Sequence, residues 1–199
     1  GNLSSGRGGK SPTQTLIDDN VTTGVLQLIF TATEEEDIII TNITLKFLGN
    51  GEYTALVINN VRMYVDTGSN EGNLDNNDVS IDTTFNNFDE NGNVLLDDMV
   101  SIPRVAASGT LPILIIYEYG NLKAGKNYGI RLEDASTKVT AYGVNSNGLW
   151  SGSNNSGAPT GTGNSDTFIA KSGNVTILEN IVNDVFVTSR TIDDYETST

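Results

Sequence analysis

The chain has no cysteine and no histidine, and these two absences already remove several kinds of site. Without cysteine there is no disulfide and no thiolate metal centre. Without histidine the chain lacks the side chain that most often serves as a general base and as a ligand of transition metals. Any metal site must therefore rely on oxygen ligands, which favours hard cations such as Ca²⁺.

Basic residues are scarce: 11 lysines and arginines stand against 25 acidic residues, and the formal net charge is −14. Nucleic acids and anionic membranes attract basic patches, so this balance predicts no nucleic-acid partner. The chain also lacks a run of about 20 apolar residues, so no membrane span is predicted. The charge suits divalent cations, or an extracellular protein whose subunits repel one another until the charge is neutralised.

The start of the chain and its glycosylation signals point to the cell exterior. The chain begins at Gly1, and its first residues contain neither a histidine tag nor an apolar stretch. Such a start is typical of a secreted protein after removal of its signal peptide, and also of a chain trimmed by a protease. Five sequons would permit glycosylation, at Asn2, Asn20, Asn42, Asn154 and Asn174. We therefore predict a secreted, extracellular protein.

Apolar and polar residues alternate with a period of two through most of the chain, as expected of half-buried strands. One predicted inner face carries Leu26, Leu28, Phe30 and Ala32, and another carries Ile39, Thr41, Ile43, Leu45 and Phe47. The segment LPILIIYEY is apolar on nearly both faces and reads as a central strand. The last predicted strands are NVTILENIV and DVFVTSR. About ten short strands without a helical period predict an all-β fold, a single β-sandwich with jelly-roll-like topology.

The chain divides into an N-terminal arm over residues 1–18 and a sandwich domain over residues 19–199. The arm begins with a Gly/Ser-rich stretch that we expect to be mobile in an isolated monomer. The stretch that follows has enough β-propensity to add a strand to an open sheet edge of another subunit. The predicted interface residues are Thr13, Thr15, Leu16 and Ile17.

Residues 66–78, DTGSNEGNLDNND, follow a predicted strand and are named here the carboxylate loop. They hold four carboxylates, and two glycines, Gly68 and Gly72, would let the backbone curl around an ion. The loop lacks the spacing and flanking helices of an EF-hand. The alternative is a series of solvated turns, because Asn, Asp and Gly are what β-turns use. We predict a Ca²⁺ site with ligands from Asp66, Asn70, Glu71, Asn73, Asp75 and Asp78, joined by Asp89 from the later DENGN turn.

The order of three segments resembles that of calcium-binding β-sandwich modules in prokaryotic surface and S-layer proteins. The segments are VLQLIFTATEEEDIIITNITLKF, NVRMYVDTGSNEGNLDNNDV and AGKNYGIRLEDASTKVTAYG, and the middle one has a D-x-x-D step at Asp75 and Asp78. Over residues 20–190 the chain is also similar to the cannula subunits of hyperthermophilic archaea. This resemblance implies a jelly-roll subunit that polymerises with Ca²⁺ into extracellular tubes by donating a terminal strand.

Three classes of function compete. The leading prediction is a structural subunit of an extracellular tube or filament, a homopolymer whose head-to-tail contacts do not close. The alternative is a calcium-stabilised adhesion or carbohydrate-binding module of a cell-surface protein, with surface glycans as partners. That class predicts a row of exposed aromatic residues, and the sequence offers one tryptophan, Trp150, and scattered tyrosines. Paired carboxylates can hydrolyse glycosides, but acids this numerous make no pair diagnostic, and the sequence predicts no enzyme.

Overall fold

The computed structural model describes residues 2–82, 85–99, 101, 103–145 and 159–171, and for residues 149–150 the backbone alone. The predicted strands NVTILENIV and DVFVTSR lie outside these ranges. Among the described residues, no helix has the length and apolar character needed to cross a bilayer.

The described part of the chain is built from strands and one helical turn, numbered here in chain order. The strands before the carboxylate loop are β1 (Leu3–Arg7), β2 (Leu16–Ile17), β3 (Thr22–Ala32), β4 (Ile38–Gly49) and β5 (Ile58–Val65). Those that follow are β6 (Val79–Ser80), β7 (Asn93–Leu96), β8 (Arg104–Val105), β9 (Thr110–Tyr119), β10 (Asn127–Leu132), β11 (Val139–Gly143), β12 (Leu149–Trp150), β13 (Thr160–Gly161), β14 (Gly163–Asn164) and β15 (Phe168–Ala170). The helix α1 (Ala135–Lys138) lies between β10 and β11.

These strands form two sheets that pack face to face across one apolar core. The order in the first sheet is β13-β1-β3-β9-β5-β6. The order in the second is β12-β11-β4-β10-β15-β2, with β14 beside β10 and with β7 and β8 beside β4. The chain crosses repeatedly between the sheets, since β3, β5 and β9 belong to the first and β4, β7 and β10 to the second. The predicted fold class, a β-sandwich, is confirmed.

The alternation of residues correctly predicts the inner faces of several long strands. Leu26, Leu28 and Phe30 of β3 are fully buried, and β9 lies between β3 and β5 as a central strand. Tyr117 of β9 crosses the core and donates its hydroxyl to the carbonyl oxygen of Gly129 in β10 at 2.7 Å. This hydrogen bond ties the two sheets together at a buried position.

For the first half of β4 the predicted face was wrong. Ile39 and Thr41, expected inside, are half-buried, whereas Ile38 and Ile40 are fully buried. The pairing of β4 with β11 shifts by one residue at Thr41. Such a bulge reverses the alternation of side chains, so that Ile43, beyond the bulge, faces the core as predicted.

The N-terminal arm lies on the chain's own sandwich. β1 pairs antiparallel with β3, and Leu3 is only 1% exposed. β2 pairs parallel with β15 and buries Ile17, while Leu16, Thr13 and Thr15 stay exposed. The mobility expected of the Gly/Ser-rich start is therefore wrong for the single chain, because main-chain pairing and the burial of Leu3 hold it. That these interface residues contact another subunit stays a prediction.

Candidate functional site

The carboxylate loop connects β5 to β6 and folds back over the outer face of the first sheet. The Asp66 N–H donates to the Pro112 carbonyl at 3.0 Å, which extends the ladder between β5 and β9. Beyond it, Gly68 and Gly72 have φ angles of +96° and +87°, a region that favours glycine. The loop lies so close to β3 that a Cβ on Gly24 would stand 2.9 Å from the Gly72 carbonyl oxygen. This part of the loop is therefore packed against the sheet.

Asp66 is the one carboxylate of the loop that turns inward, and it is 2% exposed. Its Oδ2 accepts hydrogen bonds from Gln27 Nε2 at 2.7 Å and from the Gly72 N–H at 2.8 Å. Its Oδ1 is buried and has no hydrogen-bond partner among the described residues. Burial raises the pKa of Asp66, and the charges of Asp78 and Glu71 add to the rise, while its two hydrogen bonds oppose it.

Gln27 joins the carboxylate loop to residues 8–11 of the N-terminal arm, which are named here the N-terminal segment. It is 1% exposed on β3, and its Oε1 accepts from the Lys10 N–H at 3.2 Å while its Nε2 binds Asp66. Its main chain holds the same segment, because its N–H donates to Ser11 Oγ at 3.0 Å and its carbonyl accepts from the Gly8 N–H at 2.8 Å. We name this set the Gln27 junction: Gly8, Lys10, Ser11, Gln27, Asp66 and Gly72.

The Gln27 junction was missed by sequence reasoning, although a signal was present. Gln27 is a lone amide inside the apolar run VLQLIF. A polar side chain that is buried in a strand needs hydrogen-bond partners, so its presence there indicates that other polar groups cover that face of the sheet.

Two further carboxylates of the loop shape its turns. Asp78 Oδ1 accepts from the Thr67 N–H at 2.9 Å, and its Oδ2 accepts from the Asp75 N–H at 2.8 Å. Asp75 Oδ1 accepts from the Asn77 N–H at 2.7 Å. These are the side-chain-to-backbone bonds of Asx turns. A carboxylate oxygen has a second lone pair, so neither residue is thereby lost as a cation ligand.

The other predicted ligands lie further from Asp66. Asn70, Glu71 and Asn73 are at the exposed tip of the loop, where the Asn73 N–H donates to the Asn70 carbonyl at 3.1 Å. Asp89 belongs to a separate turn before β7 in the second sheet, and its Oδ1 accepts from the Asn93 N–H at 2.9 Å. Hydrogen bonds from that turn's backbone lower the pKa of Asp89. The structure therefore keeps six of the seven predicted ligands in one loop and separates Asp89 from them.

The loop fits a hard cation in the type of its donors, but it does not form a closed cage. Within the described ranges, no three acidic side chains come close enough together to hold a metal ion. Asp66 Oδ1 is the oxygen of the loop at which a bound cation would gain the most, because a buried anionic oxygen is costly when nothing neutralises it. A cation at this oxygen would take further ligands from amide and main-chain carbonyl oxygens, which Ca²⁺ accepts.

Comparison with known proteins assigns no family: no protein-family model and no curated protein matches the chain. Similar solved structures include AvmM, which catalyzes macrocyclization in alchivemycin A biosynthesis (11% identity, TM-score 0.42, 86% of this chain and 90% of that chain). A second is the seventh ScaB type I cohesin from Pseudobacteroides cellulosolvens (15% identity, TM-score 0.36, 86% of this chain and 93% of that chain). A third is BslA, a bacterial hydrophobin (12% identity, TM-score 0.31, 86% of this chain and 97% of that chain). At these values the likeness assigns no function, and the resemblance to cannula subunits stays a prediction.

The prediction that the chain is not an enzyme is wrong as an exclusion, since the lack of two residue types does not rule out catalysis. AvmM, one of the proteins of similar structure, is a catalyst, but at 11% identity and a TM-score of 0.42 this likeness gives the chain no activity. The absence of histidine and cysteine removes two common catalytic side chains. Carboxylates and tyrosines, which also serve in acid–base catalysis, are present in number. Catalysis is therefore not excluded for this chain, and no reaction is assigned to it.

Proposed function

We propose that this protein is a structural β-sandwich module that works outside the cell, and that Ca²⁺ at the carboxylate loop holds its N-terminal strand in place. The observation that carries the proposal is the buried Oδ1 of Asp66, without a partner among the described residues, at the Gln27 junction. A buried polar group without a partner costs about 1–3 kcal/mol, and more when it is charged. A cation would remove this cost and part of the net charge of −14.

Cation binding at the loop would act directly on the N-terminal segment. Asp66 holds both Gly72 and Gln27, and Gln27 in turn holds Lys10. Gly72 is packed so tightly on the segment that a Cβ there would overlap the Lys10 carbonyl oxygen. Loop and segment therefore share one buried set of hydrogen bonds, and a rigid loop raises the cost of releasing β1.

Self-association would proceed by exchange of β1 between copies. In the described part of the first sheet the two-residue β13 is the element beyond β1. The β1 of a neighbouring copy can make the same contacts with β3, and such exchange is a low-cost route to association. Repeated head to tail, it gives a homopolymer in which residues 13–17 bridge two copies.

Calcium is expected to raise the melting temperature of the wild type and to leave that of Asp66→Asn unchanged. The substitution keeps the shape of the side chain and an acceptor for Gln27, but it removes the charge that binds the cation. With calcium at 100 times its dissociation constant the stabilisation is about 2.7 kcal/mol, which corresponds to roughly 5–10 °C for a chain of this size. Calorimetry in millimolar calcium and in chelator measures the difference.

Glu90→Gln is the matched control for this experiment, because Glu90 is exposed, lies outside the loop and gives the same change in net charge. This variant is expected to keep the full response to calcium. Equal calcium shifts in the wild type and in Asp66→Asn, or no shift in the wild type, would show that the carboxylates only shape turns.

A disulfide between β1 and β3 of one copy is expected to stop assembly. Ser4 and Thr31 are exposed Cα partners in this antiparallel pair, at a separation that a disulfide can span. The chain has no cysteine with which the new thiols could mispair. The oxidised Ser4→Cys/Thr31→Cys protein should stay monomeric in calcium, whereas the reduced protein should form polymers visible by electron microscopy.

The two single-cysteine variants control for the substitutions themselves and should assemble like the wild type when reduced. Polymers of normal length from the oxidised double variant would rule out strand exchange. Failure of the wild type to assemble at any calcium concentration would rule out the structural role itself.

A further inference from the structure

A groove on the outer face of the second sheet stands apart from the carboxylate loop and has no part in the function proposed above. Its volume is about 430 Å³, within the range of roughly 300–1,000 Å³ that is usual for small-molecule sites. Leu95 of β7 and Lys138 of α1 line it, together with Phe85, Asn87 and Asp89 from the segment before β7.

The groove combines two exposed apolar side chains with polar ones. The ring of Phe85 is 80% exposed and Leu95 is 49% exposed. Single exposed apolar side chains are ordinary on protein surfaces, but these two line the same groove. An exposed aromatic ring offers a flat, electron-rich face, and the C–H groups on one face of a pyranose sugar pack onto such a ring while its hydroxyls point sideways.

The polar groups of the groove are held in place before any ligand arrives. The Asp89 carboxylate is fixed by N–H groups of its own turn at 2.8 and 2.9 Å, which favour its ionised form. Asn86, beside it, donates its N–H to Asn60 Oδ1 at 2.8 Å. Lys138 makes no ion pair with any residue in the described ranges. Asp89 is thus a fixed acceptor and Lys138 an available donor. Together they suit the hydroxyl groups of a ligand, which both donate and accept hydrogen bonds.

We propose that this groove binds a neutral oligosaccharide, with Phe85 as the stacking surface and with Asp89, Asn87 and Lys138 as partners of the sugar hydroxyls. The net charge of −14 argues for a neutral ligand, because it would repel sulfated or uronic-acid glycans. The fixed turn around Asp89 lowers the entropy cost of binding. The groove and the Gln27 junction lie on the outer faces of different sheets, so sugar binding does not require calcium.

The test is electrophoresis of the full chain through gels that contain soluble β-1,3-glucan, xylan, mannan or α-glucan, followed by calorimetry on a retarding polymer. The wild type should be retarded by at least one of these, in chelator as well as in calcium. Phe85→Ala should weaken the affinity at least tenfold. Leu56→Ala is the control, because Leu56 is 75% exposed and lies outside the groove, and it should bind like the wild type.

Absence of retardation in all four gels would overturn the proposal. So would a Phe85→Ala protein that binds as tightly as the wild type, or a Leu56→Ala protein that loses affinity equally. Retardation by heparin or alginate in place of the neutral polymers would overturn the assignment of a neutral ligand. Failure of the calcium experiment alone would leave the groove unaffected, since the groove shares no residue with the carboxylate loop or the Gln27 junction.

Discussion

Replacement of Gly72 by alanine is expected to lower the free energy of unfolding by about 3 kcal/mol. Gly72 has a φ of +87°, and an L-residue pays about 1–2 kcal/mol in the left-handed region. The added Cβ would also overlap the Lys10 carbonyl oxygen, a main-chain atom that cannot rotate away. Overpacking of this kind costs roughly 1–3 kcal/mol, so the loop and the N-terminal segment must separate.

Gly125→Ala is the matched control, because Gly125 has a φ of +74° but a Cβ there would meet nothing within 4 Å. It should lose about 1–2 kcal/mol, which is the backbone strain alone. Urea unfolding gives both values, and limited proteolysis should cleave residues 8–12 faster in Gly72→Ala only. Equal losses of stability in the two variants would show that contact with Lys10 does not hold the N-terminal segment.

The second large effect is a pH dependence that Asp82 imposes on stability. Asp82 is fully buried, and its Oδ2 accepts from the Met63 N–H at 3.2 Å. Its Oδ1 lies 3.9 Å from Arg62 Nε and has no hydrogen-bond partner among the residues described. Burial raises the pKa of Asp82 from 3.8 to about 6, against the opposing effects of Met63 and Arg62.

Between pH 3.8 and about 6 the folded chain therefore holds a proton on Asp82 that the unfolded chain has lost. The stabilisation from this group is complete below pH 3.8 and is lost as the pH rises through 6. The loss amounts to about 3 kcal/mol, at 1.36 kcal/mol for each unit of pKa difference. Asp82→Asn does not titrate, so its stability relative to the wild type should rise by this amount between pH 3 and pH 8.

Urea unfolding of the wild type and Asp82→Asn at several pH values measures this difference. Asp97→Asn is the control, because Asp97 is exposed, and its difference from the wild type should stay flat. A difference between Asp82→Asn and the wild type that does not change with pH would mean that Asp82 is ionised throughout and satisfied by Arg62.

Local sequence patterns predict the fold where strand pairing is regular. They fail where the geometry of one strand depends on another strand that is distant in sequence. The inner face of β3 follows from alternation, because nothing interrupts its ladder beyond residue 26. The bulge at Thr41 could not be predicted, since it depends on β11, where Thr41 Oγ1 donates to the Thr140 carbonyl 99 residues away. The composition of the N-terminal arm also gave no indication of the role of Leu3, whose burial holds a segment rich in Gly and Ser.

The candidate sites, too, could be predicted only in part from the sequence. The density of oxygen ligands in residues 66–78 is visible in the sequence, but only the fold shows that Asp66 turns inward. Asp89 is near the carboxylate loop in sequence but lies at the second sheet, because β6 pairs in the first sheet and β7 in the second. In FNNF, Phe88 packs against Phe47 with ring centroids 5.8 Å apart, whereas Phe85 is exposed. Residue type cannot distinguish these two phenylalanines.

The position of the first strands has a consequence for the order of folding. Ser5 of β1 hydrogen-bonds Thr160 across 155 residues, and Asp18, just after β2, pairs with Lys171 across 153. Contacts of such sequence separation form late, because the intervening chain must be ordered first. A ribosome must therefore synthesise most of the chain before these two N-terminal strands gain their final neighbours. During that interval β1 and β2 lack these neighbours, so the exchange of β1 proposed above would meet the least competition while the chain is still being synthesised.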